Sequence, residues 1–95
     1  MKINYAVKVE EAIMYDGKPG FYARLSEFGL VFGDGHTIDE LKRSMQECFD
    51  LCMKDVPDYY DGEVPPKPSR QFADIPEAER SEYIEVELEF KGGGE

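Results

Sequence analysis

A chain of 95 residues holds one domain with one modest core, since at this size roughly 60–65% of the unfolded surface is buried. That weighs against an elaborate enclosed active site and favours a small binding or regulatory module. The formal charge of −10, from 21 acidic and 11 basic residues, repels phosphate backbones, so direct nucleic-acid binding is not expected and a basic protein is the natural complement.

Lys2 to Glu10 alternates, with Ile3, Tyr5, Val7 and Val9 on one side and Asn4, Lys8 and Glu10 on the other. Period two with β-branched and aromatic residues predicts a half-buried strand. Tyr15-Asp16-Gly17-Lys18-Pro19-Gly20 is dense in turn formers and returns the chain into a second strand, Phe21 to Leu25. After the turn-like Ser26-Glu27-Phe28-Gly29, Leu30-Val31-Phe32 predicts a third strand that extends the hairpin as a meander. Gly33-Asp34-Gly35-His36 breaks this pattern.

From Thr37 the period becomes helical. Thr37 is the expected N-cap, and Glu40, three residues on, completes a capping box. Asp39 and Glu40 place negative charge where the helix dipole is positive. Ile38, Leu41, Met45, Cys48, Phe49, Cys52 and Val56 form one apolar stripe, and Lys42, Arg43, Gln46, Glu47 and Asp50 line the opposite face. Some 18 residues give a helix of ~27 Å, with Pro57 as its expected stop.

Residues 57–81 read as a proline-rich connector with one short helical turn, starting near Asp74, Pro76 and Glu77 and running to about Arg80. The last element is a strand in which Ile84, Val86, Leu88 and Phe90 face the core while Tyr83, Glu85, Glu87 and Glu89 face outward. Those carboxylates repeat at ~7 Å along one face. Residues 91–95 form a flexible tail. The expected fold is α+β, in the order β-β-β-α-β: a three-stranded antiparallel sheet plus a C-terminal strand, with one long helix on one face. Residues 1–90 make a single domain.

Strand, aromatic-rich strand, glycine turn and capped helix together resemble the HicB-like antitoxin domain of type II toxin–antitoxin systems. The resemblance is carried by Val7-Lys8-Val9-Glu10, by Gly20-Phe21-Tyr22-Ala23-Arg24-Leu25, by Gly35, Thr37, Asp39, Glu40 and Leu41 at the family's helix start, and by Pro65-Pro66-Lys67-Pro68-Ser69 before the last strand. The interval from Arg70 to Ser81 is longer than the family's, and His36 stands where an acidic residue is usual. Many family members carry a ribbon-helix-helix or helix-turn-helix segment after this domain; none is visible here, so operator binding lacks its apparatus. The resemblance implies a partial ribonuclease-H-like fold without catalysis. Its implied role is to neutralise a small basic HicA-like mRNA-cleaving toxin by occluding its RNA-binding or active surface.

Hot-spot energy for such a partner is expected from Tyr22, Tyr59, Tyr60 and Tyr83, with Glu85, Glu87 and Glu89 supplying charge. No catalytic residue, metal or cofactor is expected. One alternative is an orphan HicB-like module with no toxin partner; the apolar sheet edges predict a homodimer or higher homo-oligomer in either case. A lower-ranked alternative is a residual metal-dependent nuclease using Asp34, Asp39, Glu40 and the strand glutamates. Separately, His36 could act as a general base with Asp34 or Asp39 as an orienting carboxylate, although the turn itself accounts for a polar residue there. Cys48 and Cys52 read as small apolar packing groups rather than metal ligands. Reduced thiols, no signal peptide and no apolar run near 18 residues predict a cytoplasmic protein without a membrane span.

Overall fold

A computed structural model describes residues 1–59, 65 and 67–90, with 55–59 as backbone alone. The element order is β1 (Lys2–Ile13), β2 (Pro19–Arg24), β3 (Phe32–Gly35), α1 (Ile38–Tyr59), two 3₁₀ segments (Phe72–Asp74 and Glu77–Glu82) and β4 (Tyr83–Glu89). The strands form one antiparallel sheet in the order β3-β2-β1-β4, with α1 as the main helix, so the α+β architecture is as expected.

β1 serves two partners in turn. Its first half, residues 2–8, pairs with β4, and its second half, residues 9–13, pairs with β2. The tight turn between β1 and β2 closes through Met14 N–H to Lys18 O and Gly17 N–H to Met14 O, both at 2.8 Å. Gly17 takes a φ of +82° there, a left-handed conformation that favours glycine.

The third strand starts two residues later than the pattern suggested and ends three later. Leu25, Phe28 and Val31 are all buried in a compact loop, closed by Leu25 N–H to Val31 O, and Leu30 stands half exposed in its turn. The strand is Phe32–Gly35, so Gly33 and Gly35 are strand residues and not a break. Their reason is packing. A Cβ on Gly33 would lie 2.7 Å from the Met45 backbone nitrogen, and one on Gly35 would lie 2.7 Å from that of Leu41. Bare glycine backbone lets α1 sit directly on β3.

The core lies between the inner sheet face and α1: Tyr5, Val7, Ala23, Leu25, Val86 and Leu88 meet Leu41, Met45, Phe49 and Met53. Each fully buried side chain of this size contributes about 1.5–3 kcal/mol, well above the ~0–1 kcal/mol of an exposed ion pair. The helix is therefore held by its apolar stripe rather than by charge pairs. The stripe is largely the expected one, with Met53 added, Cys48 only half-buried, and the Val56 side chain outside the described residues. The helix also continues through Pro57 to Tyr59.

At the helix start, the Glu40 amide donates to Thr37 Oγ1 at 3.1 Å. The Glu40 carboxylate, however, accepts from the His36 amide at 2.9 Å. The reciprocal half of the expected capping box thus reaches one residue further back.

The described part of the connector from residue 69 onward stays beside the sheet. Ser69 donates through its amide and hydroxyl to the Glu27 carboxylate at 2.6 and 2.9 Å, and Arg70 donates to the Tyr83 hydroxyl at 2.8 Å. Ile75 is buried but stands apart from the helix-side cluster. Ala6, whose parity places it on the outer face, is also buried. Two short 3₁₀ segments replace the single helical turn predicted here.

Candidate partner-binding surface

Strand parity places Tyr22 on β2 and Tyr83, Glu85, Glu87 and Glu89 on β4 on the same outer face of the sheet, away from α1. β1 runs between them, so they form two groups. Tyr59 is the last residue of α1, and the expectation for Tyr60 lies outside the described residues.

The β2–β3 group is an aromatic–cation cluster. Arg24 donates to the Tyr22 hydroxyl from Nε at 3.0 Å and from Nη2 at 2.8 Å, and its guanidinium carbon lies 5.5 Å from the Phe32 ring centre. Tyr22 and Phe32 pack with ring centres 6.3 Å apart. Arg24 and Phe32 belong to this group without any local sequence signal for it. With the third strand placed at residues 30–32, the alternation that brings Phe32 beside Arg24 was hidden. Tyr83 has a similar cation, with the Arg70 guanidinium 5.2 Å from its ring centre.

β4 is an edge strand. Two contacts set the phase of its backbone: the Phe90 amide donates to Met1 O at 2.8 Å, while Gln46 of α1 takes both backbone groups of Glu89. The Glu89 amide donates to Gln46 Oε1 at 2.8 Å, and Gln46 Nε2 donates to Glu89 O at 3.0 Å. Even-numbered residues of β4 thus turn N–H and C=O toward β1, and Tyr83, Glu85, Glu87 and Glu89 turn theirs outward. Gln46 closes the end of that edge, leaving the backbone groups of Glu85 and Glu87 facing away from the sheet. Helical periodicity put Gln46 on the polar face and held no signal of this contact.

The glutamates beside that edge are exposed. Lys2 lies 3.7 Å from Glu87, an exposed pair of small energetic weight, and Lys8 lies 3.6 Å from Glu82. Among the described residues, Glu85 and Glu89 have no ion-pair partner. Among the described residues, the row therefore carries negative charge only partly offset by Lys2, next to outward-facing strand backbone without a partner strand.

His36 is placed by different partners from those expected. Its Nε2 lies 2.8 Å from Asp16 Oδ2 and its Nδ1 lies 3.6 Å from Glu40 Oε1, whereas Asp34 and Asp39 form no hydrogen bond or ion pair with the ring. Asp34 instead donates its amide to Ser44 Oγ at 3.2 Å. The Asp16 carboxyl is held below its ordinary value of 3.8, chiefly by the Lys18 amide, against the opposing effect of desolvation, with His36 lowering it further. Imidazole and carboxylates tie the β1–β2 turn to the helix entrance. Cys48 and Cys52 both direct Sγ to the Leu30 carbonyl, at 3.3 and 3.5 Å. Among the described residues no three His, Cys, Asp or Glu side chains are grouped to hold a metal ion, and no helix is long and apolar enough to cross a membrane.

Comparison of the chain with protein-family models, with curated proteins and with solved structures found no match.

Proposed function

We propose that this chain is a non-catalytic, cytoplasmic binding module for a small basic protein, an antitoxin-like role in which it masks the partner's nucleic-acid-binding or catalytic surface. The observation that supports this most is the β4 edge: outward-facing backbone of Glu85 and Glu87 beside the carboxylates of Glu85, Glu87 and Glu89. A partner strand with Lys or Arg at alternate positions extends the sheet there. Main-chain hydrogen bonds supply affinity, and paired charges supply register and selectivity. The HicB-like features of the sequence suggest a HicA-like toxin as that partner.

The same row argues against self-pairing at this edge, because a two-fold β4–β4 contact sets glutamate rows side by side. Self-association is better served by β3, the opposite edge strand, beside which Leu30 and Phe32 are about half exposed. This second reading leaves β4 open.

Co-expression with a small basic protein encoded beside this gene, followed by pull-down, tests the pairing. Charge reversal at Glu85, Glu87 and Glu89 to Lys is expected to slow association at least tenfold at low salt and to flatten its salt dependence. Unchanged association kinetics would remove β4 from the interface.

A further inference from the structure

The β1–β2 hairpin outruns the helix that covers the rest of the inner sheet face. Beyond the Val9–Ala23 pair, the inward-facing positions are Glu11, Ile13, Pro19 and Phe21. Between them and the helix entrance lies an open hollow of about 520 Å³, within the range of small-molecule sites. Ala12, Ile13, Pro19 and Phe21 make its apolar wall, and Glu11 and His36 supply the polar groups. Ile13 is 72% exposed, so apolar surface is left uncovered here by the fold itself.

The polar groups select one sign of charge. Among the described residues the Glu11 side chain makes no ion pair or hydrogen bond, and no Lys or Arg lines the hollow. Behind His36 stand two more carboxylates, Asp16 at 2.8 Å and Glu40 at 3.6 Å. An anion entering this space meets repulsion, and a neutral apolar molecule covers Glu11 without giving it a partner, which is costly. A molecule with an apolar body and a cationic end satisfies both walls.

We propose that this hollow binds an amphiphilic organic amine, its apolar body against Ile13 and Phe21 and its ammonium group on the Glu11 carboxylate. The site lies at the hairpin end of β1, whereas β4 pairs only with residues 2–8, so it is separate from the acidic edge and independent of the toxin-binding proposal.

Tryptamine is a suitable probe, followed by amide chemical-shift titration of the full chain. Saturable shifts are expected at Glu11, Ile13, Phe21 and His36. Glu11→Gln is expected to weaken binding by about two- to fivefold, the effect of one partly exposed ion pair. Ile13→Ser, a change at an exposed side chain, is expected to weaken it independently. Indole-3-acetate, with the same ring and opposite charge, is expected to leave these residues unmoved. Equal binding of the acetate, shifts centred on Glu85 to Glu89, or no response at the hollow would each overturn the proposal. A capped Trp-Lys peptide that binds much more tightly than tryptamine would replace the free amine with a segment of a protein.

Discussion

Two glycines in β3 show how much a single missing Cβ decides. At Gly33 a methyl group would meet Met45 Cγ and backbone N at 2.7 Å and Leu41 O at 3.1 Å, so helix backbone would have to move. Gly33→Ala gains about 0.4–1 kcal/mol by restricting the unfolded chain but loses about 1–3 kcal/mol to overpacking. A net destabilisation of about 1–2 kcal/mol in urea unfolding is the expected result. Gly29→Ala is the matched control: its nearest new neighbour is Arg24 Cδ at 3.9 Å, so its effect is expected to be neutral or slightly stabilising. Asp16 provides a second residue-scale expectation. A carboxyl whose folded pKa is depressed adds stability at pH values above its unfolded pKa, and that stability is lost as pH falls through the folded one. A carbon-detected titration of the Asp16 carboxyl is therefore expected to give a midpoint below 3.8. His36→Ala is expected to move that midpoint upward but only part of the way, because the Lys18 amide is the larger cause.

At the scale of elements, β4 is held differently along its two sides. Toward β1 it has a seven-residue ladder from Lys2↔Glu89 to Lys8↔Tyr83. On the outer side, among the described residues, the Gln46 amide on Glu89 is the side-chain substitute for a neighbouring strand. Gln46→Ala removes the two neutral hydrogen bonds to Glu89, each with a net value of about 0.5–1.5 kcal/mol, together with the Gln46 Nε2 donation to Asp50 Oδ1 at 2.9 Å. Hydrogen exchange at the Glu89 amide is expected to accelerate, while Val86 and Leu88, bonded toward β1, keep their protection. Equal acceleration along the whole strand would show that Gln46 supports the ladder globally rather than closing its end. Alternation made β4 the most legible element of the chain, and the helical stripe from Leu41 to Phe49 was nearly as clear. β3 was not legible, because two of its four residues are glycines, which carry no hydrophobic signal and are usually read as turns. Pro57 is a strong breaker signal, yet the helix runs on to Tyr59, and nothing in the local pattern accounts for the extra turn.

For the whole molecule, charge and topology act together. A net charge of −10 favours encounter with cationic proteins in general. Among the described residues, the fold places exposed carboxylates, of which Glu85 and Glu89 have no ion-pair partner, beside the outward edge of β4, while Arg24 and Arg70 are engaged with Tyr22 and Tyr83. Association of a basic partner with the unmodified chain is expected to slow steeply as salt rises from about 0.01 to 0.15 M, where the screening length shrinks from about 30 to 8 Å. Stopped-flow measurement across that range, alongside the β4 charge-reversal variant, separates steering by this edge from steering by the overall acidity. A slope unchanged in the variant would assign the effect to the molecule's total charge.

Local sequence was sufficient for the α+β class, the amphipathic helix with its Thr37 cap, and the parity that puts Glu85, Glu87 and Glu89 on one face. All three follow from side-chain periodicity and from groups a few residues apart, which depend only on local backbone geometry. Tertiary structure alone decided that β4 joins β1 as an edge, that Gln46 plugs its end, that Arg24 reaches Tyr22 and Phe32, and that Glu11, Ile13 and Phe21 line a hollow beside His36. Those arrangements depend on strand order, on register and on how closely α1 approaches Gly33 and Gly35. They arise when distant segments compete for the same buried space, a contest no local pattern records.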